Sequence, residues 1–141
     1  MPREASSYLK AYEQDESLRK FCDEWLLGAM AGGADVAMEA RIARLADENP
    51  DAALKCAVSL VELAKEAVED LALSGPFEFI LAKRGSAYID VVCDLSRLLP
   101  RLPSILACIW GQHLPKPVMR KIELFRSARR RPANQSKEPT R

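Results

Sequence analysis

Apolar side chains recur along most of this chain at three- and four-residue intervals, the spacing of one face of an α-helix, and Gly, Pro or Asn punctuates each run. The first run starts near Asp15 and places Leu18, Phe21, Cys22, Trp25, Leu26 and Ala29 on one stripe, with Gly32-Gly33 as its end. Asp35 is a candidate cap for a second helix that uses Val36, Ala40, Ile42, Ala43 and Leu45. Asn49-Pro50 is the cleanest boundary of the first half: Asn49 can cap, Pro50 suits the first helical position, and Asp51 suits the positive helix end. From there the pattern predicts a third helix to about Leu73. Its stripe of Leu54, Ala57, Val58, Val61, Ala64, Val68 and Leu71 is widened by Cys56, Leu60, Leu63 and Ala67. So broad an arc should touch two neighbours, which makes this the expected central helix.

The stretch from Leu73 to Gly85 predicts a stop, a start and another stop. Gly75 can end one helix, Pro76 can open a short helix over 76–84, and Gly85 can close it. Ser86 then opens an element in which Tyr88, Ile89, Val92, Cys93, Leu95 and Leu98-Leu99 keep helical spacing, despite the strand-favouring Tyr88–Val92 segment. Pro100 stops it. Pro103 begins the next helix, with Leu102, Leu106, Ile109 and Trp110 inside, and Gly111 breaks it. A last helix starts around Pro115–Pro117 and uses Val118, Ile122, Leu124 and Phe125. The expected fold is all-α, a compact array of six or seven helices for which stacked antiparallel pairs fit best. Residues 1–14 read as an irregular lead, 15–131 as one helical domain, and 132–141 as a disordered polar and basic tail. No residue signature recurs at a fixed period.

Composition narrows the function classes. With 141 residues and 48% hydrophobic content the chain can bury a real core. No apolar run approaches the ~18 residues that a membrane span needs, and the first residues lack the apolar segment of a signal peptide, so a cytoplasmic protein without transmembrane insertion is expected. Cys22, Cys56, Cys93 and Cys108 are widely spaced and each lies in or beside an apolar helical run, which predicts core packing and no metal site. Net charge is only +1, yet its sign is segregated. Residues 1–73 hold 15 acids and 8 bases, whereas residues 74–141 hold 5 acids and 13 bases.

The catalytic inventory is thin. His113 is the only histidine, in an expected interhelical loop with no carboxylate at a spacing that would orient it. Ser74 and Ser86 read as a loop or cap residue and an N-cap, neither in a nucleophile elbow. The run Gly28–Gly33 lacks the Lys-Ser/Thr element of a phosphate loop. Adjacent carboxylates such as Asp23-Glu24, Asp47-Glu48 and Glu69-Asp70 diverge on a helix and read as solvated faces. Neither a catalytic residue nor a cofactor is therefore assigned. Glu78, in the first turn of the predicted short helix, is a candidate for helix-end stabilisation or partner recognition. Asp90 is a candidate to anchor a loop or to pair with Arg84. Arg126, Arg129 and Arg130 can line one face of the last helix, with Arg131 extending the charge; they read first as a solubilising or intramolecular charge face, and otherwise as candidate partner-binding residues for an acidic protein, for nucleic-acid phosphate or for a membrane surface. Trp25 and Trp110 read as core anchors.

Taken from Asn49 to Trp110, the sequence resembles a bacterial helical domain family of unknown function, numbered 6869. The Asn-Pro start, the long apolar helix, Gly85 and the closing Leu106–Trp110 segment carry the likeness. Members show Gly-Pro-Leu-Glu-Asp-Leu-Leu where this chain has Gly75-Pro76-Phe77-Glu78-Phe79-Ile80-Leu81, and a Val-Trp where it has Ile109-Trp110. Phe79 stands where the family has an acid. The resemblance implies an all-helical bacterial domain and no particular activity. The leading expectation is a protein–protein interaction or accessory module whose acidic first half or basic end meets a complementary surface. The alternatives are a nucleic-acid-associated protein using the final arginines and, with no catalytic constellation legible, an enzyme of unknown class.

Overall fold

The computed structural model describes residues 2–32 and 36–137, with side chains described through residue 128. Asp35 lies outside the described residues. Within them the chain is all-α. Six α-helices follow two short 3₁₀ helices, Ala5–Tyr8 and Ala11–Glu13: α1 Glu16–Met30, α2 Val36–Glu48, α3 Pro50–Leu63, α4 Asp70–Leu98, α5 Leu102–Leu106 and α6 Lys116–Lys137. No strand is present among the described residues. One continuous core joins them, with Tyr8, Ile42, Leu54, Leu60, Phe77, Ile80, Leu95 and Ile105 fully buried.

Two helix starts form where a side chain can take the place of a missing backbone partner. Asp15 Oδ1 accepts from the Leu18 N–H at 3.1 Å and Asn49 Oδ1 accepts from the Ala52 N–H at 3.2 Å, satisfying donors that have no carbonyl in the first turn. α1 ends at Met30, and Gly32 just beyond adopts φ +85°, a conformation natural to glycine. α2 buries Met38, Ile42 and Ala46 and leaves Val36 exposed, a rotation of its inner face away from the predicted stripe.

The lead is part of the fold. Its two 3₁₀ turns bring Tyr8 into the core, and the Lys10 N–H donates to both oxygens of Glu62 at 2.9 and 3.0 Å. The expectation of an irregular lead over residues 1–14 is thereby corrected: anchors 43 and 52 residues away, invisible to local pattern, order it.

The third helix stops ten residues before Leu73. Ala64 turns to extended geometry, and residues 64–69 form a loop held by Arg101. The Arg101 Nε donates to Asp70 Oδ1 at 2.8 Å, one terminal nitrogen donates to the Lys65 carbonyl at 3.2 Å, and the other donates to the Val68 carbonyl. Val68 is buried without being helical, so its place in the apolar period misled the reading, while Leu71 faces out. α3 packs against α1, α2 and α4, one neighbour more than its arc predicted.

Gly75-Pro76 does not divide two helices. α4 starts at Asp70 and runs through both residues. Pro76 has no N–H to give to the Ala72 carbonyl, but Leu73, Phe77, Ile80 and Leu81 around it are fully buried, and that burial outweighs the local break. The actual interruption is at Arg84 (φ −134°, ψ 28°), which bends α4 into two arms. Gly85, next to the bend, lies so close to α6 that a Cβ there would be 2.8 Å from Val118 Cγ2. Glycine is present because no side chain fits.

α5 is one short turn-rich helix, and the chain then turns through Gly111 at φ +77°. That turn breaks the period: Ile109 occupies the core, whereas Trp110 is 70% exposed and is not the core anchor expected. Trp25 is. α6 packs on the second arm of α4 and on α5, and its backbone remains helical past Pro132 to Lys137, where composition predicted a structureless tail.

Candidate functional site

The residues predicted to meet a partner are spread out; Arg126 is engaged within the fold, and Glu78 is not at the helix start predicted for it. Glu78 is in the third turn of α4, not at a helix start, so the unpaired N–H groups invoked for it are absent; continuity through Pro76 removes them. Arg126 faces inward. Its Nε donates to the Ala107 carbonyl at 3.2 Å, a terminal nitrogen donates to the Ile109 carbonyl, and the other pairs with Glu123. It fastens the α5–α6 connection as Arg101 fastens the α3–α4 loop. Arg129, Arg130 and Arg131 are on the helical backbone of α6, but their side chains lie outside the described residues.

Asp90 pairs with Lys121 of α6, whose ammonium pKa is raised by that hydrogen bond, and not with Arg84. Arg84 instead donates to the Asp47 carbonyl at 2.8 Å. His113 is exposed in the turn before α6. The hollow beside Asp90 is bordered by Cys93, Asp94, Lys121 and Phe125 and includes neither Glu78 nor His113. These three residues therefore form no common cleft. Among the described residues no group of His, Cys, Asp and Glu is placed to hold a metal. None of the four cysteines forms a disulfide. Cys22 and Cys56 are buried together, and the Cys22 thiol pKa is pushed up by its hydrogen bond to Cys56 and by burial.

The best-organised polar group is a Tyr-Asp-Tyr knot at the start of α3. Tyr8 and Tyr88 each donate a hydroxyl to Asp51 Oδ1 at 2.7 Å, and the Arg3 N–H donates to the Tyr8 oxygen at 2.9 Å. Burial alone would raise the Asp51 carboxyl, but the two hydroxyls and the Arg3 charge hold it below the ordinary carboxylate range. Burial and the bond to Asp51 push the Tyr8 phenol up to about 12, and the same causes raise Tyr88. Each bond is spent within the knot, which ties the lead to α3 and α4. Its chemistry is structural.

One concavity has groups left to spend. The end of α1, the start of α2 and the start of α4 enclose a pocket of about 520 Å³, lined by Trp25, Met30, Met38 and Leu71 with Glu39 and Glu69. Glu39 is half-buried, and burial raises its carboxyl pKa; no hydrogen bond or cation offsets this among the described residues. Its Oε2 lies 4.0 Å from where a Gly75 Cβ would stand, so the carboxylate rests near the bare backbone of α4. No lysine or arginine is among the described residues that line the pocket. A second hollow of about 370 Å³ shares Met30 as a wall and continues over Leu26, Leu27 and Val68, with Arg19, Asp23 and Lys65 also lining it. Leu27, Met30 and Leu71 are 68%, 51% and 55% exposed, so this end of the molecule presents large apolar side chains to water.

Sequence reasoning did not find this site. Glu39 sits one residue from an inward position on α2 and carries no motif; Leu71 falls in the apolar stripe of the predicted third helix, and Met30 in the Gly28–Gly33 run at a helix end. No family model matches the chain, and no curated protein or solved structure matches it either.

Proposed function

We propose that this protein is a helical interaction module whose docking face is the acid-edged apolar surface around Trp25, Met30 and Leu71, and whose partner is another protein. The observation that supports this reading is the exposure of Met30 and Leu71 at a pocket whose charged groups are carboxylates, with Leu27 exposed in the adjoining hollow. Apolar exposure on that scale is relieved by covering it, and the surrounding charge favours a basic partner. The nucleic-acid alternative loses support because Arg126 is consumed by Ala107, Ile109 and Glu123. Membership of the bacterial helical family that residues 49–110 resemble belongs to the same proposal. So does residence in the cytoplasm, which four cysteines without a disulfide among them favour. Among the described residues no helix is long and apolar enough to cross a membrane.

The test compares the wild type with Leu71→Asp and Met30→Asp, both at exposed positions where the melting temperature should barely move. A complex with one protein, rebuilt from two purified components, free of nucleic acid and lost in both variants, supports the proposal. A complex that survives both substitutions, or that requires nucleic acid, overturns it.

A further inference from the structure

The pocket between α1, α2 and α4 has a chemical preference that its apolar walls alone would not give. A purely apolar cleft selects by shape, and a carboxylate within one normally has a hydrogen-bond donor or a cation against it. Glu39 has neither among the described residues, although it is half-buried beside Met38 and the backbone of Gly75. The same pocket is also lined by an indole, Trp25, and two thioethers, Met30 and Met38. An aromatic ring, polarizable sulfur and an unanswered carboxylate are together the surroundings that stabilise a desolvated cation carried on an apolar stem. Glu69 at the rim adds a second negative group.

We propose that this pocket accepts the alkylammonium side chain of a lysine, with Glu39 as its counter-ion and Trp25, Met30 and Met38 around its methylenes. This deepens the docking proposal and rests on it for the source of the amine. A free small amine would fill the pocket yet leave Leu27 and Leu71 in water, whereas a lysine carried on a protein segment brings neighbouring residues onto that shelf. An arginine fits less well, because one carboxylate leaves most of a planar guanidinium's donors unpaired in an apolar site.

The experiment titrates the full chain with Nα-acetyl-lysine methylamide and, separately, with its Nε-acetylated form, following the Trp25 indole and the Glu39 and Leu71 amides by NMR. The charged compound should shift these signals with a midpoint at least tenfold below that of the neutral one. Glu39→Gln, isosteric and still folded by its unchanged spectrum elsewhere, should bring the ratio to about one. Equal midpoints in the wild type, shifts confined to other residues, or a preference that persists in Glu39→Gln overturns the lysine site. The two proposals fail separately. A null titration with a Leu71-dependent protein complex leaves the docking face and removes the lysine pocket. A positive titration with no such complex leaves an amine site and removes the docking face.

Discussion

Replacing Tyr8 with Phe isolates what holds the amino-terminal lead in place. The ring stays in the core and only the hydroxyl goes, so packing is preserved and the loss is the 2.7 Å hydrogen bond to the Asp51 carboxylate, together with the 2.9 Å bond that the hydroxyl accepts from the Arg3 N–H. A hydrogen bond to a charged group is worth about 1.5–3 kcal/mol. The Asp51 side chain is 30% exposed, so water and Tyr88 recover part of the loss, and the lower end applies, about 1.5 kcal/mol. For a domain of this size that corresponds to a fall in Tm of about 5 °C. The pH profile carries the same assignment. The Tyr8 phenol is raised in the folded state to about 12, so its contribution is complete below its ordinary value near 10 and disappears as pH climbs from there toward 12. The Asp51 carboxyl is lowered, so its contribution is complete above the ordinary carboxylate range and is lost as pH falls below it. The stability gap between wild type and Tyr8→Phe, measured by urea unfolding, should be a plateau at neutral pH that narrows at both extremes. Because Tyr88 donates to the same oxygen, Tyr8→Phe with Tyr88→Phe should cost about 0.5 kcal/mol or more beyond the sum of the singles. A Tm change below about 1 °C, or a gap that does not vary with pH, refutes the role given to the knot.

Other substitutions probe separate parts of the fold. Ser59 in α3 is fully buried and its hydroxyl has no partner among the described residues, so Ser59→Ala should stabilise the protein by about 1 kcal/mol in a denaturant melt. Gly85→Ala in α4 must displace Val118 and should lose about 1–3 kcal/mol in the same melt. Arg101→Met keeps the aliphatic stem but frees the carbonyls of Lys65 and Val68, and hydrogen exchange should accelerate in residues 64–69 before it does so in α3.

Local signals were legible where the cause was local. Asp15 and Asn49 announce their helices because each side chain bonds to a backbone N–H three residues on, and the all-α class follows from the period of the buried positions. The errors share one physical origin. Val68 and Leu71 fit a helical stripe, but an arginine thirty residues away gathers the carbonyls of the segment into a loop, and nothing near Val68 reports it. Gly75-Pro76 carries an unambiguous stop signal that the surrounding buried ring and aliphatic groups override, while the true bend at Arg84 follows the approach of α6. Trp110 fell out of the core because Gly111 turned the chain. The pocket was illegible for a related reason: Glu39, Trp25 and Leu71 belong to three helices, and only their assembly leaves a carboxylate without an answering charge.

The change of charge sign along the chain falls inside α4, close to Ser74. A single helix therefore carries the chain from its acid-rich to its base-rich sequence, so the two halves are joined by continuous helix and not by a linker. Around the pocket the nearest charges are Glu39 and Glu69, and the reach of their field shortens as salt is added.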